Sequence, residues 1–220
     1  MLTLEQVKNN PFVLEFLKKS KESLKAQNFT DHGYEHGILV AKRCQILAKE
    51  IGLSKKEQEL TAIAGFVHDF GNFLSRLHHD CLGGLLFQNI FPKDFNPDEL
   101  TLIMRAIANH DSFQEKFFSP ISAIVVISDK SDVRRSRVII KDERIIKSDI
   151  HNRVNFAVTK NRLTINKKNK NITLILKIDT NFVPIMEYFE IFTERMIQCR
   201  KAARFLGYKF GLIINKFKLL

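Results

Sequence analysis

The chain has 220 residues, of which 45% are hydrophobic and 27% charged, with nine Gly and five Pro. That balance supplies a buried core and excludes a disordered, collagen-like or linker-like chain, and no apolar run approaches the roughly 18 residues that cross a bilayer. The formal net charge is +11, concentrated in residues 130–170, where thirteen Lys and Arg face four Asp and Glu.

A field of that sign attracts anions such as nucleotides or nucleic acid, although a Lys- and Asn-rich solvated surface produces the same count. The opening MLTLEQVKNN has no basic segment followed by an apolar one, so no secretory signal is expected. Cys44, Cys81 and Cys199 form no CxxC and read as reduced thiols of a cytoplasmic protein, with Cys44 and Cys199 in helix cores.

In chain order, Pro11 suits the first position of a helix in which Phe12, Phe16, Leu17 and Leu24 recur at helical spacing. Thr30 or Asp31 is a candidate N-cap for a helix through Ile38, Leu39, Ala41, Cys44, Ile46 and Leu47 that ends at Gly52. Ser54 is placed to cap the next helix, which carries GFVHDF and ends at Gly71. Another is expected from Asp80 to Ile90, before Pro92. Asn96 ahead of Pro97, Asp98 and Glu99 reads as a cap with an acidic first turn, for a helix reaching Asn109. Pro120 opens a helix expected to run through ISAIVVISDKSDVRRSRV. Beyond residue 148 the pattern changes. RVNFAVTK, RLTINKK and NITLILKID alternate like strands, with a turn at Asn169–Asn171. Pro184 then starts a long helix that closes at Gly207, and FGLIIN reads as one more strand. The expected fold is mainly α: a helical domain over 1–148 and a small α+β subdomain, β-β-β-α-β, over 149–220.

Six of the seven histidines lie in the helical half. His68 and Asp69 are adjacent at the end of an apolar helix, and imidazole with carboxylate suits Fe, Mn or Zn. A dipeptide is a weak signal by itself, since a capping His–Asp pair looks the same. The order of the wider set carries more: His36 in DHGYEHGILV, His68–Asp69, then Asp129 in VVISDKSD.

This H…HD…D order over about residues 25–137 resembles the HD superfamily of metal-dependent phosphohydrolases. The resemblance implies a helical bundle in which His36, His68, Asp69 and Asp129 hold one metal. His79, in H-D-C-L-G, and His110, in IANHD, are similar to the further histidines of two-metal members. They imply a second metal, bridged to the first by Asp69, with His78 as the neighbour competing with His79. The H-G-x-x-H spacing of His32 and His36 is similar to cyclic-nucleotide phosphodiesterases, in which the earlier histidine protonates the leaving oxygen. The implied cofactors are two divalent ions per chain, iron or manganese first, with zinc or magnesium as alternatives. Asn72 departs from the pattern, because the two-metal subfamilies carry a phosphate-contacting Lys there. The GYP triplet of the cyclic-di-GMP enzymes is also absent.

If DKSDVRRSR is helical, Lys130, Arg134 and Arg137 form a cationic stripe beside the Asp129 face, where substrate phosphates would be held. The expected activity is hydrolysis of a nucleotide or other small phosphorylated substrate by a metal-activated bridging hydroxide, with Asp69 and His32 as the catalytic pair. The competing class is a non-catalytic nucleotide or metal sensor whose basic C-terminal part binds nucleic acid or a protein partner. Nucleic acid is the less favoured partner, since Phe156 is the one aromatic on the basic strands RVNFAVTK and RLTINKK. NITLILKID and FGLIIN are apolar enough to offer a sheet edge for a homodimer.

Overall fold

The computed structural model describes residues 1–112 and 116–219. The chain is mainly helical with a small C-terminal sheet. A short helix α1 (Leu4–Lys8) leads into α2 (Pro11–Ala26), where Asn10 caps the backbone of Phe12 and Val13 ahead of Pro11. The buried face of α2 is Val13, Leu17, Ser20 and Leu24, while Phe12 is exposed. Helix α3 (Tyr34–Ile51) starts at Gly33 rather than at Thr30 or Asp31. Asp31 instead accepts the Gly33 N–H, which bends the chain one turn early. At the other end Gly52 adopts φ 97°, a left-handed stop open to Gly.

A Ser54/Glu57 capping box starts α4 (Lys55–Val67), whose residues from Leu60 onward are all buried. A 3-10 turn (Phe70–Phe73) follows, then α5 (His79–Ile90) and α6 (Pro97–Ala108), the latter opened by the Asn96/Glu99 capping box. Helix α7 (Pro120–Lys130) is buried from Ile121 to its end. Helices α3, α4, α6 and α7 pack on one another, and α5 packs on α6 and the 3-10 turn.

Two expectations fail here. Helix α7 stops at Lys130, and Arg134 is extended (φ −162°, ψ 151°), so no helical stripe of Lys130, Arg134 and Arg137 exists. Asp132 is the reason: it turns inward to His36, and Asn161 holds the Ser131 and Val133 carbonyls at 2.7 and 2.8 Å. RVNFAVTK is a strand only at its end, from Val158, and its first five residues are helical. After the short α8 (Glu143–Ser148), Asp149 caps α9 (Ile150–Ala157), with Val154 and Ala157 buried one turn apart.

The sheet has the order β1-β2-β3-β4. Strands β1 (Val158–Asn166) and β2 (Asn171–Ile178) form an antiparallel hairpin with Leu163 opposite Leu174. Helix α10 (Ile185–Phe205) crosses over to β3 (Lys209–Ile214), which pairs parallel to β2. A two-residue strand, β4 (Phe217–Lys218), completes the sheet after a turn in which Asn215 and Lys216 take positive φ. NITLILKID is therefore an interior strand, paired on both sides, while FGLIIN pairs with β4 only at Ile213 and Ile214. Helix α10 packs against both α7 and β3, and the apolar core runs unbroken from Val7 to Ile214. Cys44 and Cys199 lie in it, their thiols pushed up to about 12 by burial. No helix among the described residues is long and apolar enough to cross a membrane.

Candidate metal centre

Helix ends converge on one point inside the bundle. His36 is in the first turn of α3, His68 follows the last residue of α4, and Asp69 comes next. His79 opens α5, His110 lies two residues beyond α6, and Asp129 is in the last turn of α7. All six are buried. Two glycines permit the approach. A Cβ on Gly37 would meet the Phe66 carbonyl at 2.5 Å, and one on Gly71 would meet the His79 carbonyl at 2.2 Å. Neither clearance is compatible with a side chain, so α3 against α4, and the 3-10 turn against α5, require Gly.

The ring nitrogens are ordered. His36 Nδ1 faces Asp132 Oδ2 at 2.8 Å. The Nδ1 atoms of His68, His79 and His110 face the carbonyls of Gly65, Arg76 and Ile107 at 2.8, 2.9 and 2.6 Å. Every partner is an acceptor, so each Nδ1 donates its proton outward and turns Nε2 inward. The Nε2 atoms of His36 and His68 lie 3.2 Å apart, and those of His79 and His110 3.1 Å apart. Asp69 joins the pairs: Oδ2 is 3.4 and 3.2 Å from the first, Oδ1 is 3.3 and 3.6 Å from the second. Asp129 Oδ1 reaches the first pair at 3.3 and 3.6 Å.

Acceptors crowded in this way repel unless a cation or a proton lies among them. At the first pair a proton can serve in the metal-free protein. Burial opposes charge on His68, but Asp69 and Asp129 outweigh it and push the imidazole up to about 10. At the second pair burial lowers His110, leaving a neutral ring whose lone pair faces His79 and Asp69. Asp69 Oδ2 is buried without a hydrogen-bond partner. These buried His and Asp groups could hold a metal ion: His36, His68 and Asp69, or Asp69, His79 and His110, bring their ligand atoms within 4.8 Å of one another. The donor set, imidazole plus carboxylate, suits a borderline transition metal.

The surroundings tune this centre. Asn72, at the position expected to lack a cation, donates to Asp69 Oδ1 at 3.0 Å and accepts from Arg76 at 3.0 Å. Asp132 is wholly buried and also accepts from Arg134 at 2.8 Å. His78 is exposed, so His79 is the inward member of the pair. His32 precedes α3 rather than sharing its face with His36. It donates Nδ1 to the Thr30 carbonyl at 2.6 Å, and burial, then Arg137, hold its pKa well below the ordinary 6.5. The expected imidazolium is thus a neutral ring here.

A cleft open to solvent reaches the centre, its enclosed part of about 20 Å³ holding roughly one water, and His32, Lys130 and Arg137 line it. Arg134 does not. Asp111, Arg76 and Arg195 also line it, and sequence reasoning missed them. Asp111 adjoins His110 and Arg76 lies three residues before His79. Arg195 interrupts the apolar stripe of α10 between Phe192 and Cys199, a cation on a buried face. The sequence matches no family model, and no curated protein matches it.

Proposed function

We propose that this protein is a metal-dependent phosphohydrolase of the HD type, cleaving a phosphoester or phosphoanhydride bond in a nucleotide or other small phosphorylated substrate. The observation that carries the reading is the meeting of three bare acceptors, His79 Nε2, His110 Nε2 and Asp69 Oδ1, beside a second imidazole pair on the same carboxylate. A single cation site has no use for two such pairs. His36, His68, Asp69 and Asp129 would hold one ion, and Asp69, His79 and His110 the other. When bound, two divalent cations polarise a water and neutralise charge on the phosphoryl oxygens.

The chain's own groups do the rest. Asp132 fixes the tautomer of His36, and the backbone carbonyls fix the other three rings. Asn72 donates to Asp69 and fixes its carboxylate between the two imidazole pairs. His32 is neutral, with Nδ1 already donating, so it serves as a shuttle that first takes a proton from water and then passes it to the leaving oxygen. Lys130 balances Asp129 and Asp111 at 3.0 and 2.5 Å, which keeps the wall of the cavity from becoming too acidic for a phosphate.

The test is metal content by elemental mass spectrometry on untagged, anaerobically purified protein, followed by a nucleotide and sugar-phosphate panel. About two Fe or Mn per chain, falling toward one in His79→Ala, with hydrolysis lost in His68→Ala, is the expected result. No metal after reconstitution would remove the catalytic reading and leave a sensor or binding module in its place.

A further inference from the structure

Four cations line the cavity, and they are not equivalent. Lys130 is buried and committed to Asp111 and Asp129. Arg137 is buried and committed to backbone: its Nε and Nη2 donate to the Asp31 carbonyl at 3.0 and 2.8 Å, and Nη1 to that of Asp132 at 3.1 Å. Both are structural, although sequence reasoning placed them on the substrate. Arg76 spends one donor, Nη1 on Asn72 Oδ1 at 3.0 Å. Arg195 spends none: among the described residues its guanidinium has no hydrogen bond and no ion pair, and it lies over the Phe192 ring at 4.9 Å.

A guanidinium carries five N–H donors, and leaving them unmet in a partly enclosed, cation-rich cavity is costly. Burial works against charge on Arg195, Asp129 and Asp111 favour it, and Arg137 and Arg76 push against it; among the described residues no partner within hydrogen-bond reach answers the group. The arrangement is relieved by an anion with several acceptor oxygens. A phosphoryl group matches best, because two planar forks can grip it bidentately from different directions. Phe192 supports the Arg195 fork from beneath.

We propose that Arg195 and Arg76 form the clamp for a terminal, dianionic phosphate, and that α10 thereby completes the active site from the C-terminal part of the chain. The clamp rests on the free donors alone. The substrate class, a phosphomonoester or terminal phosphoanhydride rather than an internal diester, rests in addition on the hydrolytic reading above. A diester phosphate carries one charge and fewer free oxygens, and would leave part of the clamp unmet.

The probe is inorganic phosphate, titrated calorimetrically into the full-length, metal-loaded protein. Wild type binds it; Arg195→Gln and Arg76→Gln each weaken binding by roughly ten- to hundredfold with metal content unchanged. Lys201→Gln, an exposed cation on the same helix, binds as wild type does. Arg195→Lys retains the charge without the fork, gives an intermediate affinity, and serves if the Gln variant does not fold. Phosphate binding that ignores Arg195, or none in wild type, overturns the clamp. A monoester and a diester of p-nitrophenol then test the class: faster turnover of the diester overturns it. Loss of phosphate binding in Arg195→Gln without turnover of either ester by wild type would leave the clamp standing and remove the hydrolase.

Discussion

Asp132→Asn is the sharpest probe of the centre, because it changes one atom and replaces none of the proposed ligands. Asp132 has two acceptors in use: Oδ2 takes the His36 Nδ1–H at 2.8 Å and Oδ1 takes the Arg134 Nε–H at 2.8 Å. Asparagine offers one acceptor and one NH2 group. Whichever way it turns, a donor meets a donor inside a wholly buried site. The unmet donor costs roughly 1–3 kcal/mol. If His36 gives way, its Nε2 no longer points inward as a fixed lone pair, and losing such a partner lowers metal affinity about ten- to hundredfold. The loss should be confined to the His36, His68, Asp69 and Asp129 site, since no Asp132 contact reaches His79 or His110. Competition with a graded chelator reads this directly: one metal per chain is released early and the other is retained. Equal weakening of both, or release identical to wild type, would refute the claim that Asp132 orients His36.

Gly71→Ala places a Cβ 2.2 Å from the His79 carbonyl and 2.8 Å from the Gly83 nitrogen. Displacing the start of α5 should cost about 1–3 kcal/mol in urea melts and take the second metal with it; full metal content at wild-type stability would count against this packing. Asn161→Ala strips partners from the Ser131 and Val133 carbonyls and from Arg43, and should destabilise by roughly 2–3 kcal/mol while loosening the loop that carries Asp132. Unaltered chelator resistance in that variant would show that the sheet does not support the centre. For pH, His68 stands raised to about 10 against its ordinary 6.5, so in metal-free protein its contribution is complete below 6.5 and is lost as pH rises through 10. Buried Cys44 and Cys199, raised to about 12, act in the same direction at the alkaline end. Urea melts between pH 7 and 10 should therefore show falling stability without metal and a smaller fall with it, because the ion replaces the His68 proton. Identical slopes would mean that no ion displaces that proton.

The helical half was readable because its signals are local. The capping boxes at Ser54 and Asn96, the Pro at the start of α2, α6 and α7, and Gly52 each act within one turn. Their ends bring His36, His68, Asp69, His79, His110 and Asp129 together, although the ordering of the rings by Nδ1 acceptors has no sequence signature. The misreadings arise where a distant contact overrides a local pattern. DKSDVRRSR has nothing that forbids a helix, and it unwinds after Lys130 because Asp132 finds His36 and Asn161 of β1 holds the turn. RVNFAVTK alternates like a strand, yet the Asp149 cap and the burial of Val154 with Ala157 make its first five residues helical, and the strand starts only at Val158. The basic segment 130–170 is likewise less free than its charge suggests, with Lys130 and Arg137 sunk in the cavity wall.

The cations were assigned by proximity in sequence to Asp129, and that rule selects residues already committed elsewhere. Charge beside a metal ligand is usually there to balance the ligand, as Lys130 does for Asp129. Arg195 comes instead from α10, an element that carries none of the proposed metal ligands. In the middle of an apolar helical stripe, it is carried into the interior by its neighbours, Phe192 and Cys199, rather than by a partner of its own. Under the proposed clamp, replacing Arg195 alone should cost phosphate recognition before it costs metal, since α10 also packs on α7, which carries Asp129.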